Sequence, residues 1–305
     1  MIRYAISAAE LEAAIEKEKE GWLAKAKLKT EAFRAAKKFN ETDSQNTWSQ
    51  IKPVFMKLQH DKCAFCERKL GAVMFGKGEH DVEHFRPKRR VIAWPTAKMI
   101  EEDEKNPADK RRFPYAFKTG TSDPSGYYLL AYSIFNYATS CKSCNSSLKS
   151  DYFPVAAKRQ TATDDPATLK TEKPFLIYPV GNADDDPEEL ITYFGFLPVP
   201  KNTSTSSFQH RRARVTIDFF RLDDREDLLR IRAEVITKIW LAFDILSDSQ
   251  TPPDRRRKAE RILKLALADK SEQTACARAF HKLCQTNPTQ ARQFNDLAEQ
   301  YLDNN

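Results

Sequence analysis

The chain has 305 residues, of which 41% are hydrophobic and 30% are charged. This length suits two domains or one elaborated domain, and the composition excludes collagen-like, low-complexity and wholly disordered chains. No apolar run approaches the roughly 18 residues that a membrane-spanning helix needs. The N-terminal residues also lack the pattern of a signal peptide. We therefore expect a cytoplasmic protein that has no membrane partner.

Basic residues are in modest excess, and they are clustered. Fifty Lys and Arg residues face 43 Asp and Glu residues, for a net charge of +7. The clusters lie at Arg86–Arg90, Arg111–Arg112, Arg211–Arg214 and Arg255–Lys258. Clustered basic charge is typical of proteins that bind a polyanion, most often nucleic acid, although any one cluster can be a solvated surface.

The N-terminal region, residues 1–59, is predicted to be a helical support. Ser7 and Glu10 form a capping-box pattern at the start of a helix that we expect to run to about Phe39. A second helix is predicted from apolar residues at helical spacing, namely Trp48, Ile51, Phe55 and Leu58. Residues 41–46 are polar and are expected to separate the two helices.

Residues 60–155 are predicted to form the core of the protein. After the first cysteine pair, a glycine-containing turn from Gly71 to Gly78 leads into a short strand that ends at Glu83 and His84. Residues 95–126 are charged and rich in Pro and Gly, which indicates an insertion with little regular structure.

The C-terminal part, residues 156–305, is predicted to hold a small β element followed by helices. Phe175–Tyr178 and Ile191–Phe194 are expected to be two short strands around an acidic turn. Helices are expected from about Asp218 onward, one of them starting at the Pro252-Pro253 pair.

Four of the six cysteines occur as two Cys-x-x-Cys pairs. These are Cys63 with Cys66, and Cys141 with Cys144. In a cytosolic chain such pairs indicate metal ligands rather than disulfides, and four thiolates form the closed tetrahedral set of a structural Zn²⁺ site. The alternative is two pairs of buried structural cysteines.

A second group of residues has the chemistry of a catalytic site. Glu83 and His84 are adjacent, Asn136 follows the insertion, and Asn145 directly follows Cys144. A histidine beside a carboxylate can serve as a base beside a metal ligand, and an asparagine carbonyl oxygen can bind a hard cation. Taken alone, an adjacent Glu and His are more often structural than catalytic.

These motifs together resemble the HNH endonuclease family, which has the ββα-metal fold. They are most similar to the HNH (PtuB-type) subunits of Septu and retron antiphage defence systems. The resemblance covers roughly residues 60–235 and depends on the segments Cys63–Glu67, Val82–Lys88, Tyr127–Tyr132, Asn136 and Cys141–Lys149.

The resemblance implies a role for each matching residue. It implies that His84 is the general base and that Glu83 and Asn145 bind a catalytic Mg²⁺ or Mn²⁺. Asn136 matches the asparagine that braces the loop between the two strands. Flanking phosphates are expected to contact the basic side chains near these motifs, which are Arg86, Lys88 and Lys149.

The expected fold is therefore α+β, with a zinc-supported ββα-metal (HNH) core embedded in a mostly helical chain. The resemblance implies a metal-dependent endonuclease that acts on nucleic acid, with DNA preferred, and works with an ABC/SMC-type (PtuA-like) ATPase. Two alternatives stay open at this point. One is a zinc-supported nucleic-acid-binding adaptor that does not cut, and the other is an HNH-like ribonuclease toxin.

Overall fold

The computed structural model describes residues 1–40, 47–71 and 80–304 of the chain, with backbone only at His80 and Asp81. The predicted break at residues 41–46 lies outside the described residues. So does the predicted turn from Gly71 to Gly78, apart from its first residue.

The described part of the chain is α+β and mostly helical, as predicted, with two small antiparallel sheets. It divides into two compact units. The hairpin unit comprises Ala5–Lys57 and Lys77–Asp184, and the helical unit comprises Met1–Tyr4, Leu58–Gly76 and Asp185–Asn305. Each unit is therefore built from segments that are distant in sequence.

The hairpin unit begins with two helices where the sequence predicts one. Helix α1, Ala8–Glu18, starts at the predicted capping box of Ser7 and Glu10. It ends before Gly21, whose φ of +73° suits glycine better than other residues, and α2 then spans Trp22–Ala36. A 3₁₀-helix, Thr47–Ile51, leads directly into α3, Lys52–Leu58.

A pair of antiparallel strands, from which we name the hairpin unit, lies at the centre of that unit. Strand β1, His80–His84, pairs with β2, Tyr137–Cys141, so that Glu83 lies opposite Ala138 and His84 opposite Tyr137. The chain then enters a π-helix, Ser143–Lys149, in which the Ser150 amide donates to the Asn145 carbonyl oxygen. Two 3₁₀-helices, Tyr128–Leu130 and Ile134–Asn136, precede β2.

The insertion at residues 95–126 contains more regular structure than predicted. Helix α4 spans Ala97–Asp103 and starts at Thr96, whose side chain accepts a hydrogen bond from the Met99 amide. Asp103 is buried, and its carboxylate accepts hydrogen bonds from the amides of Arg112 (2.6 Å) and Phe113 (2.8 Å). The segment is thus held by its own polar contacts. Helix α5, Pro166–Lys170, completes the hairpin unit.

The helical unit contains the second sheet, and its strand pairing corrects the sequence prediction. Strand β3, Ile191–Phe194, pairs with β4, Leu197–Pro200, and not with residues 175–178. Gly195 has a φ of +61°, which permits this tight connection. The helices of this unit are α6 (Pro187–Leu190), α7 (Phe208–Phe219), α8 (Glu226–Ser247), α9 (Pro253–Ala266), α10 (Thr274–Thr286) and α11 (Pro288–Asn304).

Among the described residues, no helix combines the length and the apolar character that crossing a membrane requires.

Candidate active site

An open cleft in the hairpin unit brings together several of the predicted site residues. It lies beside β1 and the π-helix. The residues that line it are Glu83, His84, Pro87, Lys88, Arg89, Asn145, Ser146, Ser150 and Asp151. Four predicted residues therefore share one solvent-accessible surface, namely Glu83, His84, Lys88 and Asn145.

His84 is held so that one particular ring nitrogen can act as a base. The His84 Nε2 atom lies 3.1 Å from the Ala131 carbonyl oxygen. Since a carbonyl can only accept, Nε2 carries the proton in the neutral ring and Nδ1 keeps its lone pair. Burial, and then the nearby Lys88 ammonium, hold the pKa of His84 well below its usual value. The ring is thus neutral at physiological pH.

Glu83 is a buried carboxylate with a buried cation as its partner. Lys149 Nζ lies 3.2 Å from Glu83 Oε1 and 3.4 Å from the His84 carbonyl oxygen. Burial raises the pKa of Glu83, and the charge of Lys149 opposes that shift. Burial likewise lowers the pKa of Lys149, opposed by Glu83. The pair therefore limits the cost of desolvating each charge.

Asn136 lies behind the cleft and fixes the chain that follows His84. Its Oδ1 atom accepts from the Arg86 amide at 2.7 Å, and its Nδ2 atom donates to the Arg86 and Leu130 carbonyl oxygens at 3.0 and 3.1 Å. The Phe85 amide donates to the Asn136 carbonyl oxygen at 2.8 Å. These bonds attach the end of β1 to the turn that precedes β2.

The three basic residues predicted to contact phosphates occupy different environments. Lys88 lines the cleft, and its Nζ atom lies 3.5 Å from His84 Nδ1. Arg86 instead pairs with the buried Glu172 at 3.3 Å, and Lys149 is fully buried against Glu83. Buried carboxylates thus already engage the charges of Arg86 and Lys149, and phosphate binding by the three residues stays a prediction.

Asn145 reaches the cleft because of the π-helix. Asn145 is the second residue after the start of Ser143–Lys149, and it is half-buried. π-Helical turns are rare, and they are frequently found at functional sites. Asp151, just beyond this helix, adds a second carboxylate to the cleft and pairs with Arg90 at 2.7 Å.

The four paired cysteines come together as the sequence predicts. Cys63, Cys66, Cys141 and Cys144 are all buried, and their Sγ atoms lie within 4.8 Å of one another. The first pair lies in a tight turn, in which the Glu67 amide donates to the Cys63 carbonyl oxygen at 3.0 Å. The cluster could hold a metal ion, and four thiolates are consistent with structural zinc.

The oxygen atoms in the cleft suit a different class of metal. Glu83, Asn145 and Asp151 offer carboxylate and amide oxygens on the same open surface as His84. Such hard ligands fit Mg²⁺ or Mn²⁺, which keep several bound waters, rather than a thiophilic ion. The chemistry of these donors is therefore of the class that a divalent cation such as Mg²⁺ takes.

The sequence pattern did not identify three of the residues around His84. The Ala131 carbonyl oxygen that binds Nε2 is a backbone atom, and no side-chain pattern could reveal it. Asp151 and Trp48 are the other two. Asp151 has one sequence signal, its position two residues after Lys149. Trp48 fits the helical pattern of a support helix, which conceals its proximity to His84.

The chain has similarity to one curated protein. The chain is 28% identical over 193 residues to Septu protein PtuB of Bacillus mycoides (strain KBAB4), a match that covers 63% of this chain and 52% of the relative. The chain thus spans about half the length of the curated relative. No family model and no solved structure matches it. The resemblance to PtuB that the sequence motifs indicate is confirmed by this match.

Proposed function

We propose that this protein is a metal-dependent HNH endonuclease, in which β1, β2 and the π-helix form the ββα-metal core. One observation carries the proposal. His84 has its Nε2 proton bound by the Ala131 carbonyl oxygen, and it shares an open cleft with the oxygen ligands Glu83 and Asn145. A neutral imidazole can act as the base of phosphodiester hydrolysis, and a carboxylate and an amide can hold the metal ion that assists it.

His84 acts as the general base in this proposal. Its Nδ1 lone pair accepts a proton from the attacking water, and the Nε2–H···O contact to Ala131 stabilises the resulting imidazolium. The low pKa of His84 keeps the base unprotonated before reaction. Lys88, at 3.5 Å from Nδ1, provides a positive charge for the scissile phosphate next to the base.

Glu83 and Asn145 would hold the catalytic Mg²⁺ or Mn²⁺. When bound, such an ion supplies charge stabilisation for the phosphate and the leaving oxygen. The charge of Lys149 opposes the rise that burial causes in the pKa of Glu83, and the ion pair orients the Glu83 carboxylate. Asn136 acts at a distance from the phosphate, because its bonds to Arg86 fix the backbone that follows His84.

The four-cysteine cluster holds a structural zinc ion in this proposal. A site with four thiolates has no open coordination position, so it contributes to folding and not to the reaction. The cluster connects β2 and the start of the π-helix, because Cys141 ends the strand and Cys144 lies in the helix. It would thereby fix the segment that carries Asn145.

The similarity to PtuB supports a biological role in Septu-type antiphage defence. We propose that the protein acts on nucleic acid, with DNA preferred, in the bacterial cytoplasm, as the effector that works with an ABC/SMC-type (PtuA-like) ATPase. The net charge of +7 is consistent with a polyanionic substrate.

The decisive experiment replaces the base. His84→Ala should lower plasmid cleavage by about 10²–10⁴-fold, the usual contribution of a positioned base, without loss of bound zinc or nucleic-acid binding. The control is His281→Ala, a histidine on α10 of the helical unit. Cleavage should require Mg²⁺ or Mn²⁺ and should be measured with and without the ATPase. A wild-type rate for His84→Ala would overturn the HNH assignment, whereas a wild-type protein that binds nucleic acid and never cleaves it would favour the non-cleaving adaptor.

A further inference from the structure

The N-terminal helical region contacts His84, the proposed general base, through Trp48. Trp48, in the 3₁₀-helix Thr47–Ile51, packs its indole edge-to-face with the His84 imidazole, with ring centroids 5.0 Å apart and planes at 86°. This segment is itself anchored, because Trp22 Nε1 donates a hydrogen bond to the Thr47 carbonyl oxygen at 2.8 Å. Trp48 thus has a defined place against the proposed active site.

The same indole also contacts the cation next to the base. Lys88 Nζ lies 4.7 Å from the centroid of the Trp48 ring, within the range of a cation–π interaction, and 5.7 Å from that of Phe39. The same ammonium is 3.5 Å from His84 Nδ1. Trp48 therefore touches both members of the base–cation pair.

His84 is supported on its other sides by residues that precede or belong to β2. Tyr137 packs edge-to-face at 5.1 Å and 86°, and its hydroxyl donates to the Ala131 carbonyl oxygen at 2.5 Å. That carbonyl in turn accepts from His84 Nε2. Trp48 adds a further ring contact, from a segment outside the hairpin.

We propose that Trp48 is a positioning residue that fixes the His84 ring and the Lys88 ammonium relative to each other. This inference rests on the proposed nuclease function and deepens it, since it assigns part of the N-terminal region to the active site. Trp48 has no atom that takes part in the reaction. Its effect is on the geometry of two groups that do, and small errors in such geometry lower rates strongly.

The role differs from that of an ordinary core aromatic residue. Phe33 is buried in the same region, where its ring stacks against Tyr132 at 6.0 Å and packs at a tilt against Phe39 at 5.1 Å. Trp48 is only half-buried, and it contacts Tyr132 as well as His84. Phe33 thus provides a matched control, because its truncation should weaken the aromatic cluster without moving the base.

The test compares Trp48→Leu, Trp48→Phe and Phe33→Leu in the full-length chain, assayed with and without the ATPase on supercoiled plasmid. Trp48→Leu should lower kcat by about 10–100-fold with little change in KM, since it misplaces reacting groups. Trp48→Phe keeps an aromatic face and should recover most of the rate. Phe33→Leu should lower the melting temperature at least as much as Trp48→Leu does. Its kcat should nevertheless stay near that of the wild type.

Two further measurements separate positioning from general destabilisation. In a Lys88→Met background, Trp48→Leu should lower kcat by a clearly smaller factor than in the wild type. The reason is that the effects of substituting residues that act together are not additive. The NOE between the His84 and Tyr137 rings, whose centroids lie 5.1 Å apart, should weaken in Trp48→Leu but not in Phe33→Leu, with His84 assigned through His84→Gln. Additive rate effects, or an unchanged His84–Tyr137 NOE in Trp48→Leu, would overturn the proposal.

Failure of the nuclease function would look different. If the wild type does not cleave under any of these conditions, the proposed function fails, and the NMR comparison alone decides whether Trp48 positions the His84 ring. If cleavage occurs and Trp48→Leu retains the wild-type kcat, the positioning role is wrong while the nuclease stands.

Discussion

Lys149 and Glu83 form an ion pair inside the hairpin unit, with Nζ and Oε1 3.2 Å apart and side chains only 0% and 9% exposed. The pair links the end of the π-helix to β1, next to His84. In the proposed site, one carboxylate therefore has two functions. It faces the cleft as a metal ligand, and it neutralises a lysine that the sequence assigns to phosphate binding.

We expect Lys149→Met to destabilise the protein, because it leaves the Glu83 carboxylate buried without a partner. Breaking a buried pair on one side costs about 3–5 kcal/mol. Burial raises the pKa of Glu83, and the loss of Lys149 raises it further. The loss of unfolding free energy in Lys149→Met is therefore absent below the ordinary pKa of a glutamate, where Glu83 is protonated in both the folded and the unfolded chain. This loss appears as pH rises through the raised pKa of the folded state.

Denaturant melts of Lys149→Met at acid and alkaline pH measure this effect. The loss of unfolding free energy should be larger on the alkaline side, and Glu83→Gln in the same chain should reduce it. A loss that does not depend on pH would mean that packing of the lysine stem, rather than its charge, supports the site.

Lys88 should control the pH dependence of cleavage. It is the second cause, after burial, of the lowered pKa of His84. Lys88→Met should raise that pKa, so the acid limb of the kcat profile should move to higher pH. Lys88→Arg keeps the charge and should leave the limb in place. The position of the limb, and not the maximum rate, is the quantity to compare. An unmoved limb in Lys88→Met would separate Lys88 from the base.

The four-cysteine cluster should bind about one zinc ion per chain, because four thiolates complete the tetrahedral coordination of a single ion. Cys141→Ser removes one ligand and should lower both the zinc content and the melting temperature, because metal binding contributes to folding. The control is Cys284→Ser, a buried cysteine outside the cluster. Elemental analysis and thermal melts provide the measurements. A metal-free Cys141→Ser protein with unchanged stability would contradict a structural zinc.

Asp103 should hold the insertion together. Its carboxylate accepts from two backbone amides and from Asn106 Nδ2 at 3.1 Å. Asp103→Ala leaves these donors without their acceptor and should make residues 104–113 more sensitive to limited proteolysis. Asp109→Ala, an exposed residue in the same segment, is the control. Equal cleavage of both variants would show that the carboxylate does not restrain the segment.

Local sequence signals predicted several elements of this protein correctly, because the interactions that form those elements lie within a few residues of one another. The capping box of Ser7 and Glu10 starts α1 as predicted, since both partners lie within one turn. The cysteine spacing predicted the four-thiolate cluster, and the short strand ending at His84 is present. The α+β class follows from the same signals.

The tertiary structure decided which partner each polar side chain meets. Arg86 pairs with Glu172, 86 residues away, and Lys149 bonds to the His84 carbonyl oxygen, 65 residues away. The sequence shows such residues only as basic, which is why all of them fit a phosphate-binding role. Trp48 shows the same limit, since its helical spacing indicates a core residue while the fold places it against His84. Burial and charge neutralisation act between distant segments, so the sequence determined the candidate groups and the packing determined their roles.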